Sequence, residues 1–158
     1  MRMSPEDRKN FPNLAFYVRV NMPQVTGVQT IVRNMKRHGS VGLAELRTAL
    51  VWGAKPLIVL ADLSAVPAPD GSGLVSANGR FDPAKPDQVE LDIGRAQEFE
   101  DDAYGAGIDQ TADGRSVFIV GTTLLHELCH WGNFHHGRAE AVEEGIAFEE
   151  AVYGRNTG

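Results

Sequence analysis

The sequence predicts an α+β protein that forms a single domain over residues 1–158. Helical spacing of apolar residues dominates the first fifty residues, and short β-branched runs separated by breakers fill the middle. A long apolar stretch and then an acidic amphipathic stretch complete the chain. We therefore expect N-terminal helices, a small mixed β-sheet, a buried helix and a C-terminal helix. The hydrophobic fraction of 42% is that of an ordinary globular protein with a real core.

The first third of the chain predicts three amphipathic helices. Apolar residues recur at spacings of three and four over residues 11–18, 25–35 and 43–50. Gly39 is placed to end the second helix. The basic residues just before it are predicted to form a solvated helix end that the helix dipole favours, and they are Lys36, Arg37 and His38.

The middle of the chain predicts two strands. Residues 57–61 form a short β-branched apolar run after a proline, which suits a buried strand. Residues 89–93 alternate apolar and acidic side chains, which predicts a strand with one wet face. Between them, Asn78-Gly79 is a tight-turn signal. A short helix is expected over residues 95–102, and the Gly- and Asp-rich residues 104–115 are expected to form a loop.

The last fifty residues contain the side chains that are candidates for a catalytic or metal-binding site. Residues 117–131 are apolar on several faces, as expected of a helix buried through the middle of a domain. Residues 132–137 are expected to break that helix, and residues 138–153 to form another. The buried stretch contains the run His126-Glu127-Leu128-Cys129-His130.

This run is an H-E-x-x-H motif. On a helix, His126 and His130 lie one turn apart on the same face, so both imidazoles can reach one cation. Glu127 is rotated away from them and can act on a water molecule without being a ligand. The motif therefore predicts a zinc site with two His ligands and with Glu127 as general base.

A catalytic zinc ion takes three protein ligands, and the third remains open. His136 lies six residues beyond His130, as in the metzincins, but the glycine of their pattern is shifted and no methionine follows the motif. Our first choice is Glu144, because Glu144-Gly-Ile-Ala resembles the E-G-x-A segment that supplies the zinc-binding Glu in many gluzincins. Glu140, four residues earlier on the same helix face, could orient a ligand or replace Glu144.

Other side chains near the motif are candidates for supporting roles. Glu149 could support a ligand, Tyr153 could donate a hydrogen bond to the oxyanion of a tetrahedral intermediate, and His135 could contact substrate. Each could instead have no role in the site. Glu149 would then be an acid on a helix face, Tyr153 a buried packing residue and His135 a surface residue. For three acids of the last helix, a solvated helix face is the competing interpretation, and they are Glu140, Glu143 and Glu150.

Charge and composition limit the kinds of binding partner and the cellular compartment that we expect for this protein. The net charge of −6 and pI of about 5.3 argue against nucleic acid or an anionic membrane as partner. No apolar run reaches the length of a membrane span. Residues 1–10 are polar and mixed in charge, which predicts synthesis in the cytoplasm without a signal peptide. A single cysteine, Cys129, indicates a reducing compartment.

Several segments together resemble the zincin-like metallopeptidase toxin domains of bacterial polymorphic toxin systems and secretion-system effectors. The resemblance runs over residues 10–154, and its segments are residues 10–19, 49–53, 89–93, 123–132, 143–149 and 152–154. It implies a zincin-like fold, bound Zn²⁺ and a protein or peptide substrate. It also implies a cognate immunity protein, and delivery into a target cell with a secretion-system carrier.

The function expected from motif and resemblance is hydrolysis of peptide bonds by a zinc-activated water, with Glu127 as general base. Three alternatives remain open at this point. The chain could be a housekeeping or regulatory zinc protease of the cytoplasm, or a zinc-dependent amidase that acts on cell-wall peptides. It could also be a non-catalytic binding domain in which the motif occurs by chance.

Overall fold

A computed structural model describes residues 1–68, 71–101, 105, 107–138 and 143–157 of the chain. Helices pack against small sheets, so the predicted α+β class is confirmed. The α-helices are α1 (Pro5–Asn10), α2 (Pro12–Phe16), α3 (Gln29–His38), α4 (Leu43–Leu50), α5 (Ile93–Asp101), α6 (Ile119–His135) and α7 (Glu144–Tyr153). The strands are β1 (Arg2–Met3), β2 (Leu57–Ala61), β3 (Val66–Pro67), β4 (Leu74–Val75), β5 (Gly79–Arg80), β6 (Gln88–Asp92), β7 (Ile108–Gln110) and β8 (Ser116–Phe118).

The N-terminal helices form where the apolar spacing places them. The first continues from α2 into a π-helical segment, Tyr17–Asn21, and a 3₁₀ segment, Met22–Gly27, leads on to α3. Gly39 follows the last residue of α3, as predicted, and its N–H donates to the Met35 carbonyl. Within the described residues, no helix has both the length and the apolarity needed to cross a bilayer.

The main sheet is small and mixed, with strand order β1-β2-β6-β5. β1, β2 and β6 run parallel, and β5 pairs antiparallel with β6 at the edge of the sheet. β2 coincides with the predicted strand over residues 57–61. Two further pairs of antiparallel strands, β3–β4 and β7–β8, form separate two-stranded sheets.

Three expectations for the middle of the chain are wrong. Gly79 does not form a tight turn but pairs with Leu91 in the edge strand. β6 has no wet face at Glu90, because this side chain is covered by Arg80, whose Nη2 lies 2.6 Å from its carboxylate. Part of the expected loop over residues 104–115 is strand β7, although residues 102–104 and 106 lie outside the described part of the chain.

α6 is the buried helix that the sequence predicts, but its ends differ. Residues 116–118 form β8, so the helix begins at Ile119. At the other end it continues through Gly132, where a break was expected. A Cβ on Gly132 would lie 2.2 Å from the Gly39 carbonyl oxygen, so glycine is needed here for the close approach of two backbones.

α7 is shorter than the predicted helix over residues 138–153. It begins at Glu144, and Glu143 is its N-cap residue, with φ −73° and ψ 90°. The predicted extension over residues 139–142 lies outside the described part of the chain. This later start changes which acidic side chain faces α6.

We predict that Gly132→Ala lowers the free energy of unfolding by about 1–3 kcal/mol, because the added methyl group meets backbone that cannot move cheaply. Urea unfolding of the metal-free protein measures the change. Gly27→Ala is the matched control, since a Cβ there meets nothing within 4 Å, and it should stay within about 0.5 kcal/mol of wild type. Equal stability of the two variants would contradict the close packing of α6.

Candidate metal centre

The two histidines of the motif and one glutamate converge at the start of α7. His126 and His130 lie one turn apart on α6, with ring centroids 5.1 Å apart. Glu143 Oε1 lies 2.5 Å from His130 Nε2 and 3.4 Å from His126 Nε2. The three possible ligand atoms lie within 4.8 Å of one another, so the group could hold a metal ion. We call these three residues the metal cluster.

The donor set of the metal cluster fits a zinc ion. Zinc binds imidazole nitrogen and carboxylate oxygen at about 2.0–2.2 Å, which separates neighbouring ligand atoms by roughly 3.3–3.5 Å in a tetrahedron. The separation of 3.4 Å between His126 Nε2 and Glu143 Oε1 already matches this value. The 2.5 Å contact with His130 is a hydrogen-bond distance, so Glu143 has to withdraw by about 1 Å.

Glu143 reaches the imidazoles because it lies just before α7. Its carboxylate caps the helix by accepting from the Ile146 N–H at 2.6 Å, and an extended N-cap conformation turns the side chain towards α6. Gly145 lets the backbone come close, since a Cβ there would lie 2.3 Å from the His126 ring. Sequence reasoning placed Glu143 on a solvated helix face and so missed it.

The structure does not bring Glu144, the first choice for the third ligand, to the two imidazoles. Its carboxylate points to the other side of α7, where it pairs with His38 Nδ1 at 3.1 Å and Arg138 Nη2 at 3.2 Å. The reason is the later start of the helix, which puts Glu143 in the cap position. His38 is therefore not the solvated helix end that was expected, since its side chain is only 13% exposed.

Of the other two candidates for the third ligand, His136 is also not brought to the imidazoles. His136 is exposed, and its Nε2 lies 2.9 Å from a carboxylate oxygen of Glu45. Glu140 lies outside the described residues. His135, a candidate for substrate contact, packs its ring on Trp131, and its Nε2 is 3.0 Å from the Pro86 carbonyl oxygen.

Glu149 supports the ring of His126. Its carboxylate accepts a 2.6 Å hydrogen bond from His126 Nδ1, which directs Nε2 towards Glu143. The other oxygen of Glu149 accepts from the backbone N–H and the hydroxyl of Thr157, at 2.6 and 2.9 Å. Both residues are buried, and Thr157 had no signal in the sequence that could have identified it.

Tyr153 is a packing residue in this arrangement. It is buried against Phe148, with the two rings edge to face and their centroids 6.2 Å apart. Burial raises the pKa of its hydroxyl. Tyr153 is not among the described residues that line the cleft at the metal cluster, so the geometry does not favour an oxyanion role.

Glu127 lies beside the metal cluster and against the edge of the sheet. Burial raises the pKa of its carboxyl to about 7, although the positive charges of His126 and His130 oppose this shift. The backbone N–H of Phe81 donates a hydrogen bond to the carboxylate. Gly79 permits this contact, because a Cβ there would lie 2.8 Å from Glu127 Oε1.

An open cleft of about 900 Å³ gives access to these groups. The metal cluster and Glu127 form one wall, and the edge strand β5 forms another. Apolar side chains also line the cleft, among them Val66, Val75, Phe81 and Ile146. The cleft is large enough for several residues of an extended peptide.

The protonation of the metal cluster reflects its contacts. Burial alone would lower the pKa of His126, but hydrogen bonds with Glu143 and Glu149 raise it to about 10. Burial lowers the pKa of His130 as well, but its hydrogen bond with Glu143 and the negative charges of Glu127 and Glu143 together raise it. Burial opposes ionisation of Glu143, yet its bonds to both imidazoles hold its pKa well below the usual range. A metal ion that binds here takes the place of the shared protons.

We predict that Glu143→Gln weakens zinc binding by more than about 100-fold, which exceeds the typical cost of losing a residue that only supports a ligand. The amide oxygen can still accept from Ile146, so the helix cap is kept while the anionic ligand is lost. Competition with a chromogenic chelator measures the zinc dissociation constant. Glu150→Ala, an exposed acid on the same helix, should leave it unchanged, whereas unchanged binding in Glu143→Gln would exclude Glu143 as a ligand.

Comparison with known proteins identifies a family whose name implies a bound metal. The sequence model of the Metallopeptidase toxin 3 family matches residues 7–154 of this chain. No curated protein and no solved structure matches the chain. The family match confirms the resemblance to metallopeptidase toxin domains that the sequence segments indicated. Since the match covers nearly the whole of the 158 residues, the chain belongs to the Metallopeptidase toxin 3 family.

Proposed function

We propose that this member of the metallopeptidase toxins is a zinc-dependent peptidase, with His126, His130 and Glu143 as ligands and Glu127 as general base. The metal cluster is the observation that carries the proposal, because it presents two imidazoles and one carboxylate at the side of an open cleft. Three protein ligands would leave one coordination position free for chemistry. A zinc ion bound there would act as a Lewis acid and make its water a stronger nucleophile at neutral pH.

The side chains around the metal cluster have separable roles in this proposal. Glu127 accepts the proton of the attacking water and returns it to the leaving amine. The hydrogen bond from the Phe81 N–H holds the carboxylate of Glu127 in place at the cleft. Glu149 keeps His126 Nδ1 protonated and its ring fixed.

The edge strand supports a peptide as the substrate. β5 pairs only with β6 among the described strands, and Gly79 and Arg80 line the cleft. An extended peptide that pairs with this edge would pass its backbone along Glu127 and the metal cluster. The apolar side chains that line the cleft would then contact alternate side chains of that peptide.

The biological setting of the proposal rests on the resemblance and the family. We propose that the peptidase is the toxic effector domain of an interbacterial toxin or secretion system, delivered into a target cell by a carrier. A cognate immunity protein would neutralise it in the producing cell. Its target would be a protein of the recipient cell.

We expect Glu127→Gln to lower peptide hydrolysis by about 10²–10⁴-fold, because the amide cannot accept the proton of the attacking water. Zinc content, measured by atomic absorption, should equal that of the wild-type protein, since Glu127 is not a ligand. A fluorogenic peptide mixture provides the activity assay. A zinc-loaded Glu127→Gln protein that cleaves at the wild-type rate would remove Glu127 from the proposed mechanism.

We expect expression of the wild-type chain to arrest the growth of a susceptible bacterium and expression of Glu127→Ala to leave growth unaffected. The experiment is run with expression directed to the cytoplasm and, separately, to the periplasm. Arrest only in the periplasm would point to a cell-wall peptide as the substrate. Equal growth of both strains in both compartments would argue for a housekeeping protease and against a toxin.

A further inference from the structure

The carboxylate of Glu144 is almost buried, yet it is not part of the metal cluster. Its side chain is 10% exposed, and both oxygens have a cationic or hydrogen-bonding partner. Oε1 accepts from Arg138 Nη2 at 3.2 Å, and Oε2 accepts from His38 Nδ1 at 3.1 Å. A carboxylate in such a place needs these partners, since an unpaired buried charge is costly.

His38 links Glu144 back to the helix that carries the imidazoles. Its backbone carbonyl accepts a 2.6 Å hydrogen bond from Nδ2 of Asn133, a fully buried residue of α6. Within the described part of the chain, Nε2 of His38 is buried and has no hydrogen-bond partner, so the ring makes its polar contact through Nδ1 to Glu144. Two hydrogen bonds, from Asn133 to His38 and from His38 to Glu144, therefore connect α6 to the first residue of α7.

Arg138 forms a second link to the same carboxylate. Its Nη1 donates to the Arg37 carbonyl at 3.0 Å, while Nη2 donates to Glu144. The backbone N–H of Arg138 also donates to the Asn133 carbonyl at 2.9 Å. Arg138 therefore joins the end of α3, the end of α6 and the start of α7.

The next residue limits movement in the other direction. Gly145 lies so close to the His126 ring that a Cβ would be 2.3 Å from its Nε2. The start of α7 is held on one side by Glu144 and rests on His126 on the other. These contacts fix the backbone at the start of α7 and therefore the place from which the side chain of Glu143, the preceding residue, reaches the imidazoles.

We propose that Glu144 is a positioning residue for Glu143, and that its contacts with His38 and Arg138 hold the Glu143 carboxylate at the two imidazoles. This inference rests on the ligand set of the proposed function. It assigns different roles to two adjacent glutamates, since Glu143 binds the metal ion and Glu144 fixes the geometry in which it can do so.

The test compares zinc affinity with stability, because a purely structural role would change only the latter. We expect Glu144→Gln and Arg138→Met each to raise the zinc dissociation constant by about 10–100-fold, as loss of ligand support typically does. The double variant should be little weaker than Glu144→Gln alone, since the ion pair with Arg138 is already lost in that single variant. Chelator competition measures affinity, and thermal unfolding of the metal-free variants measures stability.

Glu100→Gln is the matched control. The carboxylate of Glu100 also ties two helices together, accepting from the backbone N–H groups of Asn13 and Leu14 at 2.9 and 3.0 Å, but it lies on α5, away from the metal cluster. We expect this variant to lose stability and to keep the wild-type zinc affinity.

Each other outcome overturns the inference in a recognisable way. Unchanged zinc affinity in Glu144→Gln and Arg138→Met, with lowered melting temperatures, would show that the contacts serve stability alone. Loss of binding in Glu144→Gln with full affinity in Arg138→Met and His38→Phe would make Glu144 itself a ligand. A wild-type protein that binds no zinc would overturn both proposals, whereas one that binds zinc without cleaving peptides would overturn only the peptidase.

Discussion

The contact between the Glu143 carboxylate and two imidazoles on another helix is the interaction on which the site depends. The helical periodicity of α6 alone places His126 and His130 on one face. A third side chain of the same straight helix would lie too far along its axis to reach the same ion. The carboxylate must come from a separate element, at 2.5 to 3.4 Å from the two rings. Most of the packing around α7 follows from that requirement.

Close backbone approach is the means by which the fold meets this requirement. Gly145 allows α7 to rest on His126, Gly132 allows α6 to rest on Gly39, and Gly79 allows the edge strand to rest on Glu127. A Cβ would come within 3 Å of His126 at Gly145, of Glu127 at Gly79 and of the Gly39 carbonyl oxygen at Gly132. The site is therefore assembled from elements in near contact, and small residues matter in it as much as charged ones.

The sequence predicted what depends on local patterns. β2, the N-terminal helices and the buried helix follow from periodicity, and the H-E-x-x-H motif identified three groups that line the cleft. It did not predict the third member of the metal cluster, because the choice between Glu143 and Glu144 depends on where α7 begins. Glutamate is not a favoured N-cap residue, so the start of the helix has no clear signal. The partner of Glu144, His38, is 106 residues away in the sequence, and only the folded chain brings them together.

The short edge strand that faces the cleft has a consequence for the behaviour of the protein at high concentration. An unpaired edge can pair with the same edge of another copy and so start aggregation. β5 has only two residues, and one of them is the charged Arg80, which is 39% exposed. Two residues offer few backbone hydrogen bonds to the edge strand of a second copy. The positive charge of Arg80 on each copy would also oppose the pairing of the two edges. The cleft can therefore admit an extended peptide while the protein itself stays monomeric at high concentration.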